Sequence, residues 1–272
     1  MSSVLKRVLS SIIILAIVLA VFMLGNQYIV DIFISIIASR CVYELFNAFK
    51  QKGFHPIEPL GYIASFSICF LHIVPKENIL ILIGAIIVIT ILISFGLIIL
   101  KKRKIDMVDI TITSFTISYI IIFLIFVSLI RNNIENGKWM IWYVFLASWL
   151  TDVFAFLVGM AIGKHHFTDI SPKKTIEGCI GGILGAVLSI VIYTAILNNF
   201  LGFNISYLIV ILAGICLSII SQVGDLAASI IKRYAGIKDF SNLIPGHGGM
   251  LDRIDSLIFV APFVYFLFIL IN

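Results

Sequence analysis

Apolar runs long enough to cross a lipid bilayer recur along this 272-residue chain and limit its fold more than any other feature. A membrane-spanning helix needs about 20 predominantly apolar residues. The chain holds nine such runs, at residues 8–24, 28–49, 59–75, 79–100, 107–130, 139–162, 178–198, 204–224 and 254–272. The two shortest runs could be tilted or partly re-entrant, so a count of eight spans is also possible.

The apolar runs predict helices rather than strands. A spanning segment must satisfy its own backbone groups, so it is either a helix or a strand of a closed barrel. Barrel strands alternate between apolar and polar residues, whereas runs such as IIILAIVLAVFML at residues 12–24 do not alternate. We therefore predict an all-α, polytopic membrane bundle.

The distribution of basic residues predicts the orientation of this bundle. With the N-terminus inside and nine spans, the outside loops hold only Lys76, Arg131 and Lys138, and Arg40 lies within the second run. The other 15 of the 19 Lys and Arg residues fall on the inside, which indicates a cytoplasmic N-terminus. Topology and attraction to anionic lipid headgroups also explain the KKRK run at residues 101–104, so we predict no nucleic-acid partner.

The first polar cytoplasmic loop, residues 163–177, follows a span that contains a carboxylate. Asp152 lies well inside the run 139–162. An ionisable residue at such a position usually marks a binding site, a cavity or an ion path. The alternative is a structural ion pair between Asp152 and Arg40.

The stretch SPKKT in this loop has the features of a helix start. Ser171 would cap a helix and Pro172 would take its first position. Lys173 and Lys174 would then lie in the first turn, where the helix dipole disfavours cations unless an anion is bound there. A phosphate between the lysines and the helix N-terminus would explain the placement. The alternative is that both lysines are anchors that follow the positive-inside bias.

The second polar loop, residues 233–253, lies between two predicted helices whose charged residues are regularly spaced. Asp225, Ser229 and Lys232 are four and then three residues apart, so they share one helix face, with Arg233 at its edge. Two further aspartates, Asp252 and Asp255, are three apart and would face the same way on the opening turn of the last helix.

Glycines and carboxylates in this second loop suit a phosphate–metal site. Mg²⁺ is usually held by one or two carboxylates together with phosphate oxygens. Gly246, Gly248 and Gly249 would let backbone N–H groups approach an anion closely. An interfacial loop of mutually neutralising charges would explain the charged residues but not the glycines.

Two blocks of sequence resemble one enzyme family. The run Ser229-x-x-Lys232-Arg233-x4-Lys238-Asp239-x5-Pro245-x-His247-Gly248-Gly249-x-x-Asp252-Arg253-x-Asp255 resembles the signature of the phosphatidate cytidylyltransferases, also called CDP-diacylglycerol synthases. A second block of the same family is similar to Asp152, Gly159, Gly163 and SPKKT-x-EG, and the region of Glu44 also resembles a family feature. Three positions depart from the family pattern, namely Phe156, Ile176 and Ala228.

This resemblance implies a reaction and a set of site residues. CTP and phosphatidate in the bilayer would give CDP-diacylglycerol and pyrophosphate, with Mg²⁺ and room for a second cation. The implied metal ligands are Asp225, Asp252 and Asp255, with Asp239 more peripheral. The implied catalytic residues beyond these are Lys232, Arg233, Lys238, His247 and Arg253. The implied substrate-binding residues are Asp152, Ser171, Lys173, Lys174, Ser229, Gly246, Gly248 and Gly249.

The same resemblance implies a homodimer. The bias of basic residues predicts that the N-terminus and both polar loops are cytoplasmic, and we expect the protein in the cell membrane, in a bacterium the inner membrane. Residues 1–138 would be a lipid-facing scaffold and residues 139–272 the catalytic region.

Two other functions remain open from the residues. A CTP-dependent lipid kinase of the polyprenol type would need a base for its hydroxyl nucleophile, and His247 could serve. A transporter would use Asp152 and Asp225 as relays, but it should show paired halves, and the chain has no such internal repeat.

Overall fold

The computed structural model describes residues 3–100, 105–244 and 248–271, with side chains from residue 8 to residue 270 within those ranges. These ranges contain the α-helices α1 (Ser3–Leu19), α2 (Gln27–Lys50), α3 (Glu58–Ser67), α4 (Ile79–Ile99), α5 (Met107–Thr116), α6 (Phe123–Asn133), α7 (Gly137–Met140), α8 (Trp142–Ile162), α9 (Ile176–Leu201), α10 (Tyr207–Ala235) and α11 (Leu251–Ile271). Short π-helical or 3-10 segments continue or join some of them: Ala20–Leu24, Ile68–Ile73, Lys76–Asn78 and Ile117–Ile122. Within the described ranges the only β-type pairings are two isolated bridges, His166 with Thr175 and Ile244 with Gly248.

The prediction of an all-α, polytopic membrane protein is confirmed. Six helical segments of the described chain are long and apolar enough to cross a membrane: Lys76–Ile99, Met107–Asn133, Gly137–Ile162, Ile176–Leu201, Tyr207–Ala235 and Leu251–Leu270. Two shorter apolar helices are Val8–Leu24 and Glu58–Ile73. Every one of the nine predicted runs is helical over most of its length. The count of nine spans itself stays a prediction.

The chain divides into two compact units. The first unit comprises Met1–Trp139 and Tyr234–Ile254, and the second comprises Met140–Arg233 and Asp255–Asn272. Residues 234–254, which contain most of the second polar loop, therefore belong with the N-terminal helices.

In the first unit, α2 packs closely against its neighbours through its buried face. Leu45 and Phe46 are almost fully buried. A Cβ atom on Gly61 of α3 would lie only 2.6 Å from the ring of Phe46, so the absence of a side chain allows α2 and α3 to approach. Lipid tails are as apolar as these side chains, so in a bilayer such packing stabilises the helix pair through van der Waals contacts.

A buried carboxylate joins three segments at one end of the first unit. Asp31 of α2 accepts hydrogen bonds from the backbone N–H of His72 at 3.0 Å and from the Asn132 side chain at 2.9 Å. The hydroxyl of Ser128 also donates to Asp31. Because these donors lie on the 3-10 segment Ile68–Ile73 and on α6, the cluster fixes where both segments meet α2.

The second unit is held by close contact between α8 and α9. Gly178, Gly181, Gly182 and Gly185 recur on one face of α9, and each faces α8. A Cβ atom on Gly185 would lie 2.1 Å from Cγ of Phe154, and one on Gly181 would lie 2.5 Å from Val158. Small residues at a membrane-helix interface allow backbones to approach closely. These four glycines therefore allow α8 and α9 to pack closely.

Candidate active site

The second unit brings oppositely charged side chains together in one cluster. Lys174, in the loop before α9, forms an ion pair with Asp225 of α10. The Lys174 side chain is 21% exposed and that of Asp225 is 28% exposed, so the pair is partly shielded from water. Asp255 of α11 is buried and interacts electrostatically with Asp225, Lys232 and Asp152. These three carboxylates and two lysines are called the carboxylate–lysine cluster below.

A glycine allows α10 and α11 to bring their carboxylates close together. A Cβ atom on Gly224 would lie 2.8 Å from the backbone oxygen of Asp255 and 3.0 Å from Cα of Ser256. Because Gly224 directly precedes Asp225, this approach sets the carboxylate of α10 beside that of α11. Ser256 then reaches Asp152 of α8, with its hydroxyl 3.5 Å from an Asp152 carboxylate oxygen.

The predicted helix start at Ser171 is wrong. Helix α9 begins at Ile176, and its N-cap is Thr175, whose hydroxyl accepts a hydrogen bond from the N–H of Gly178 at 3.1 Å. Ser171 instead opens a turn in which its carbonyl accepts from the N–H of Lys174 at 3.0 Å. The threonine satisfies the free N–H groups of the helix start, so no second cap is needed four residues earlier. Lys173 and Lys174 therefore precede the helix.

The loop that carries Lys174 is fixed at both of its ends. Glu177, in the first turn of α9, accepts hydrogen bonds from the backbone N–H groups of Lys164 and His165 at 3.2 and 3.3 Å. Its other oxygen lies 2.6 Å from Nδ1 of His165. Gly163 is required at the start of the loop, since a Cβ atom there would lie 2.6 Å from the Thr175 hydroxyl. Lys174 thus belongs to a structured loop rather than to a freely solvated one.

In the first unit, Asp252 organises the turn before α11. Its Oδ2 accepts hydrogen bonds from the N–H of Phe240 at 2.8 Å and from the N–H of Gly249 at 3.0 Å. Gly248 has a positive φ of 81°, a conformation that favours glycine, and its carbonyl accepts from Ile244 at 2.9 Å. Pro245, Gly246 and His247 lie outside the described residues. A hydrogen-bonded turn therefore underlies the pattern that predicted an anion site.

Glu44 of α2 contacts the same turn, and sequence reasoning assigned it no role. Its carboxylate is fully buried and accepts hydrogen bonds from the backbone N–H groups of Met250 at 3.0 Å and Leu251 at 2.8 Å. Ser241 donates to it at 2.7 Å and Arg40 at 3.1 Å. The Arg40–Glu44 pair is four residues apart within an apolar run, and that spacing was the signal in the sequence.

The other predicted residues of the second block lie in the last two turns of α10, in the connection that follows, and in the first turn of α11. Ser229 is half-buried in α10, and Lys232 and Arg233 form its last turn, where the helix dipole favours cations. Lys238 and Asp239 are exposed in the connection between α10 and α11. Arg253 is exposed in the first turn of α11. Their predicted roles in catalysis stay predictions.

The donor atoms fit a magnesium–phosphate site of the ordinary kind. Across residues 3–100, 105–244 and 248–271, no three His, Cys, Asp or Glu side chains form a ready metal-binding group. Mg²⁺ typically takes only one or two protein carboxylates and completes its shell with water and phosphate oxygens. Asp225 and Asp255 supply such carboxylates, and Lys174 and Lys232 supply charges for phosphate. The arrangement therefore suits a reaction between two phosphorylated molecules.

Comparison with known proteins identifies a family and several relatives of this chain. The model of the cytidylyltransferase family matches residues 5–271. A phosphatidate cytidylyltransferase of Bacillus subtilis (strain 168) is 41% identical over 144 residues, which are 53% of this chain and 52% of that protein. One of Staphylococcus haemolyticus is 38% identical over 63% of this chain and 64% of its own length. One of Staphylococcus aureus (strain COL) is 35% identical over 97% of this chain and 98% of its own length.

The fold defines a polytopic, α-helical membrane protein, and its second unit carries the carboxylate–lysine cluster. Within that class, the chain belongs to the cytidylyltransferase family, whose model covers almost its entire length. The matched stretch spans about half of the Bacillus subtilis relative and just under two thirds of the Staphylococcus haemolyticus relative.

Proposed function

We propose that this chain is a membrane-bound phosphatidate cytidylyltransferase that converts CTP and phosphatidate to CDP-diacylglycerol and pyrophosphate. The observation that carries the proposal is the carboxylate–lysine cluster, in which Lys174 is paired with Asp225 beside Asp255 and Lys232. The relatives that carry this enzyme name, one of them matched along 98% of its length, support the same reaction.

The proposed reaction needs charge neutralisation more than it needs a base. A phosphate monoester is largely ionised at neutral pH, because its second pKa is about 6. An oxygen of the lipid phosphate attacks the α-phosphorus of CTP, and the bond from that phosphorus to the oxygen bridging the α- and β-phosphates breaks. Pyrophosphate leaves with the bridging oxygen, and the CMP group becomes joined to the lipid phosphate. Fixed cations that face both anions would lower the barrier.

We assign each charged side chain of the cluster a role on this basis. Lys174 and Lys232 hold phosphate oxygens, and Asp225 and Asp255 are the carboxylates that hold Mg²⁺. The metal, when bound, neutralises charge that develops on the phosphates. Lys174 is paired with Asp225, so the charge of this carboxylate is compensated by a side chain that we assign to phosphate binding.

Several further features are proposed together with the reaction. Asp252 is a further metal ligand, Asp239 is a peripheral one, and the remaining signature residues contact the nucleotide or the lipid phosphate. We propose that both polar loops face the cytoplasm, that the membrane is the bacterial inner membrane, and that the enzyme is a homodimer. The basic-residue bias supports the orientation.

A reconstitution assay tests the proposed function. The purified chain is incubated in detergent with CTP, Mg²⁺ and either phosphatidate, diacylglycerol or a polyprenol, and the lipids are analysed by mass spectrometry. We expect CDP-diacylglycerol from phosphatidate, released pyrophosphate in equal amount, and no new lipid from the two alcohols. A phosphorylated alcohol with release of CDP would contradict the proposal and indicate a lipid kinase.

A further inference from the structure

One carboxylate of α2, that of Glu44, accepts hydrogen bonds from the backbone at the start of α11. Glu44 is completely buried, and each of its two oxygens faces a backbone N–H group at the start of α11. The first N–H groups of a helix have no partner within the helix, so a carboxylate in this position satisfies two of them and is favoured by the helix dipole.

Other neighbours of Glu44 hold the carboxylate in place. Arg40 lies one turn earlier on α2, and its Nε donates to Oε1 of Glu44 at 3.1 Å. Its Nη2 donates to the Ser241 hydroxyl at 3.3 Å. Ser241 itself donates to the same Oε1 at 2.7 Å. A buried carboxylate is tolerated only when it is paired and hydrogen-bonded, and here both conditions hold.

Gly249 lies directly against this carboxylate. A Cβ atom on Gly249 would lie 2.6 Å from Oε2 of Glu44, which is closer than real Cβ atoms approach an oxygen. The N–H of Gly249 meanwhile donates to Asp252 at 3.0 Å. The sequence suggested that the N–H of this glycine approaches a bound anion. In the structure that N–H donates to Asp252, and the absence of a side chain leaves room for the Glu44 carboxylate.

We infer that Glu44 is a positioning residue, which fixes the turn before α11 and thereby Asp252, and that Gly249 lacks a side chain in order to accommodate it. Glu44 acts through the turn and is not assigned contact with either substrate. Its importance for turnover rests on the proposed function, whereas its hold on the backbone does not.

Hydrogen exchange tests that hold without any reaction. The full-length protein in detergent is compared with Glu44→Gln and with the control Glu58→Gln, whose carboxylate pairs with Lys50 and is 37% exposed. Hydrogen bonds to a charged group contribute about 1.5–3 kcal/mol, so the Met250 and Leu251 amides should exchange about 10- to 100-fold faster in Glu44→Gln. The control should match the wild type. Unchanged exchange in Glu44→Gln would overturn the inference.

If Glu44→Gln does not accumulate as folded protein, Glu44→Asp takes its place in the same measurement. The shorter side chain draws the carboxylate back by about 1.5 Å, the length of one carbon–carbon bond, and so lengthens the same hydrogen bonds. Faster exchange of the two amides is again the expected result, and wild-type exchange rates would overturn the inference.

A suppressor experiment links Glu44 to Gly249. Gly249→Ala should lower kcat/KM by about 100-fold or more, because the added methyl group collides with the Glu44 carboxylate. In a Glu44→Asp background the space is vacated, so the same Gly249→Ala change should cost less than about 3-fold beyond Glu44→Asp alone. Equal losses in both backgrounds would mean that the glycine serves a bound anion, and would overturn this half of the inference.

The two sets of results separate the inference from the proposed function. A wild-type protein that makes no CDP-diacylglycerol would defeat the proposed function, and the exchange rates of the Met250 and Leu251 amides would still decide whether Glu44 holds the turn. A wild-type enzyme with normal turnover and no coupling between the two positions would defeat only the role assigned to Gly249.

Discussion

Removal of Lys174 should destabilise the protein far more than removal of its neighbour Lys173. The Lys174–Asp225 pair is only 21% and 28% exposed, so its strength lies between that of a surface pair, about 0.2–1 kcal/mol, and that of a buried pair broken on one side, about 3–5 kcal/mol. We expect Lys174→Ala to lower the free energy of unfolding by about 1–2 kcal/mol. Lys174→Ala also leaves Asp225 and Asp255 to repel each other, whereas Lys173 is exposed.

A double-mutant cycle in detergent measures this coupling by thermal unfolding. For a chain of this size about 1 kcal/mol corresponds to roughly 2–4 °C, so Lys174→Ala should lower Tm by about 2–8 °C. Lys173→Ala should lie within about 1 °C of the wild type. Asp225→Asn should then raise Tm in the Lys174→Ala background, because it removes the uncompensated carboxylate. Equal shifts for the two lysines, or strictly additive effects of Lys174→Ala and Asp225→Asn, would refute the reasoning.

Three other predictions concern the acids, the helix contact and the topology. Asp225→Asn and Asp252→Asn should each lower Mg²⁺-dependent turnover by about 100-fold or more, and near-normal turnover at low Mg²⁺ would contradict the metal assignment. Only Asp252→Asn should also speed hydrogen exchange at Gly249, whose N–H it holds. Gly185→Ala should destabilise the protein by about 1–3 kcal/mol, since its Cβ would lie 2.1 Å from Phe154. Gly96 has open space around it, so Gly96→Ala should stabilise the protein by about 0.5–1 kcal/mol in the same unfolding assay. A reporter that works only outside the cytoplasm should be active when it is fused after Asn272. Activity of a reporter that works only in the cytoplasm would show that a span was miscounted.

The helices and the local spacing within them could be predicted from the sequence. The apolar runs indicated every long helix, because the bilayer demands about 20 apolar residues and leaves little choice of backbone structure. Asp225, Ser229 and Lys232 do lie together on one helix, α10, and Asp252 does lie in the first turn of α11. Helical spacing is a local property, so it can be read from neighbouring residues alone.

Competing local signals and distant contacts could not be resolved in the same way. Ser171 and Thr175 are both acceptable helix caps, and Thr175 is the cap in the structure, where its side chain lies against Gly163 across the loop. The hydrogen bond from Met250 to Glu44 joins residues 206 positions apart, and nothing in either local stretch specifies that partner. Gly249 illustrates the consequence, because its function in the turn is visible only once Glu44 is found beside it.

The fate of the phosphorus atoms of CTP tests the central claim most directly. Purified protein is supplied with phosphatidate and with CTP labelled either at the α-phosphorus or at the γ-phosphorus, and the label in the lipid fraction is measured. We predict that the α-label enters the lipid in equal amount to the pyrophosphate released, that the γ-label remains in pyrophosphate, and that Asp225→Asn abolishes both transfers. Entry of the γ-label into lipid would contradict cytidylyl transfer.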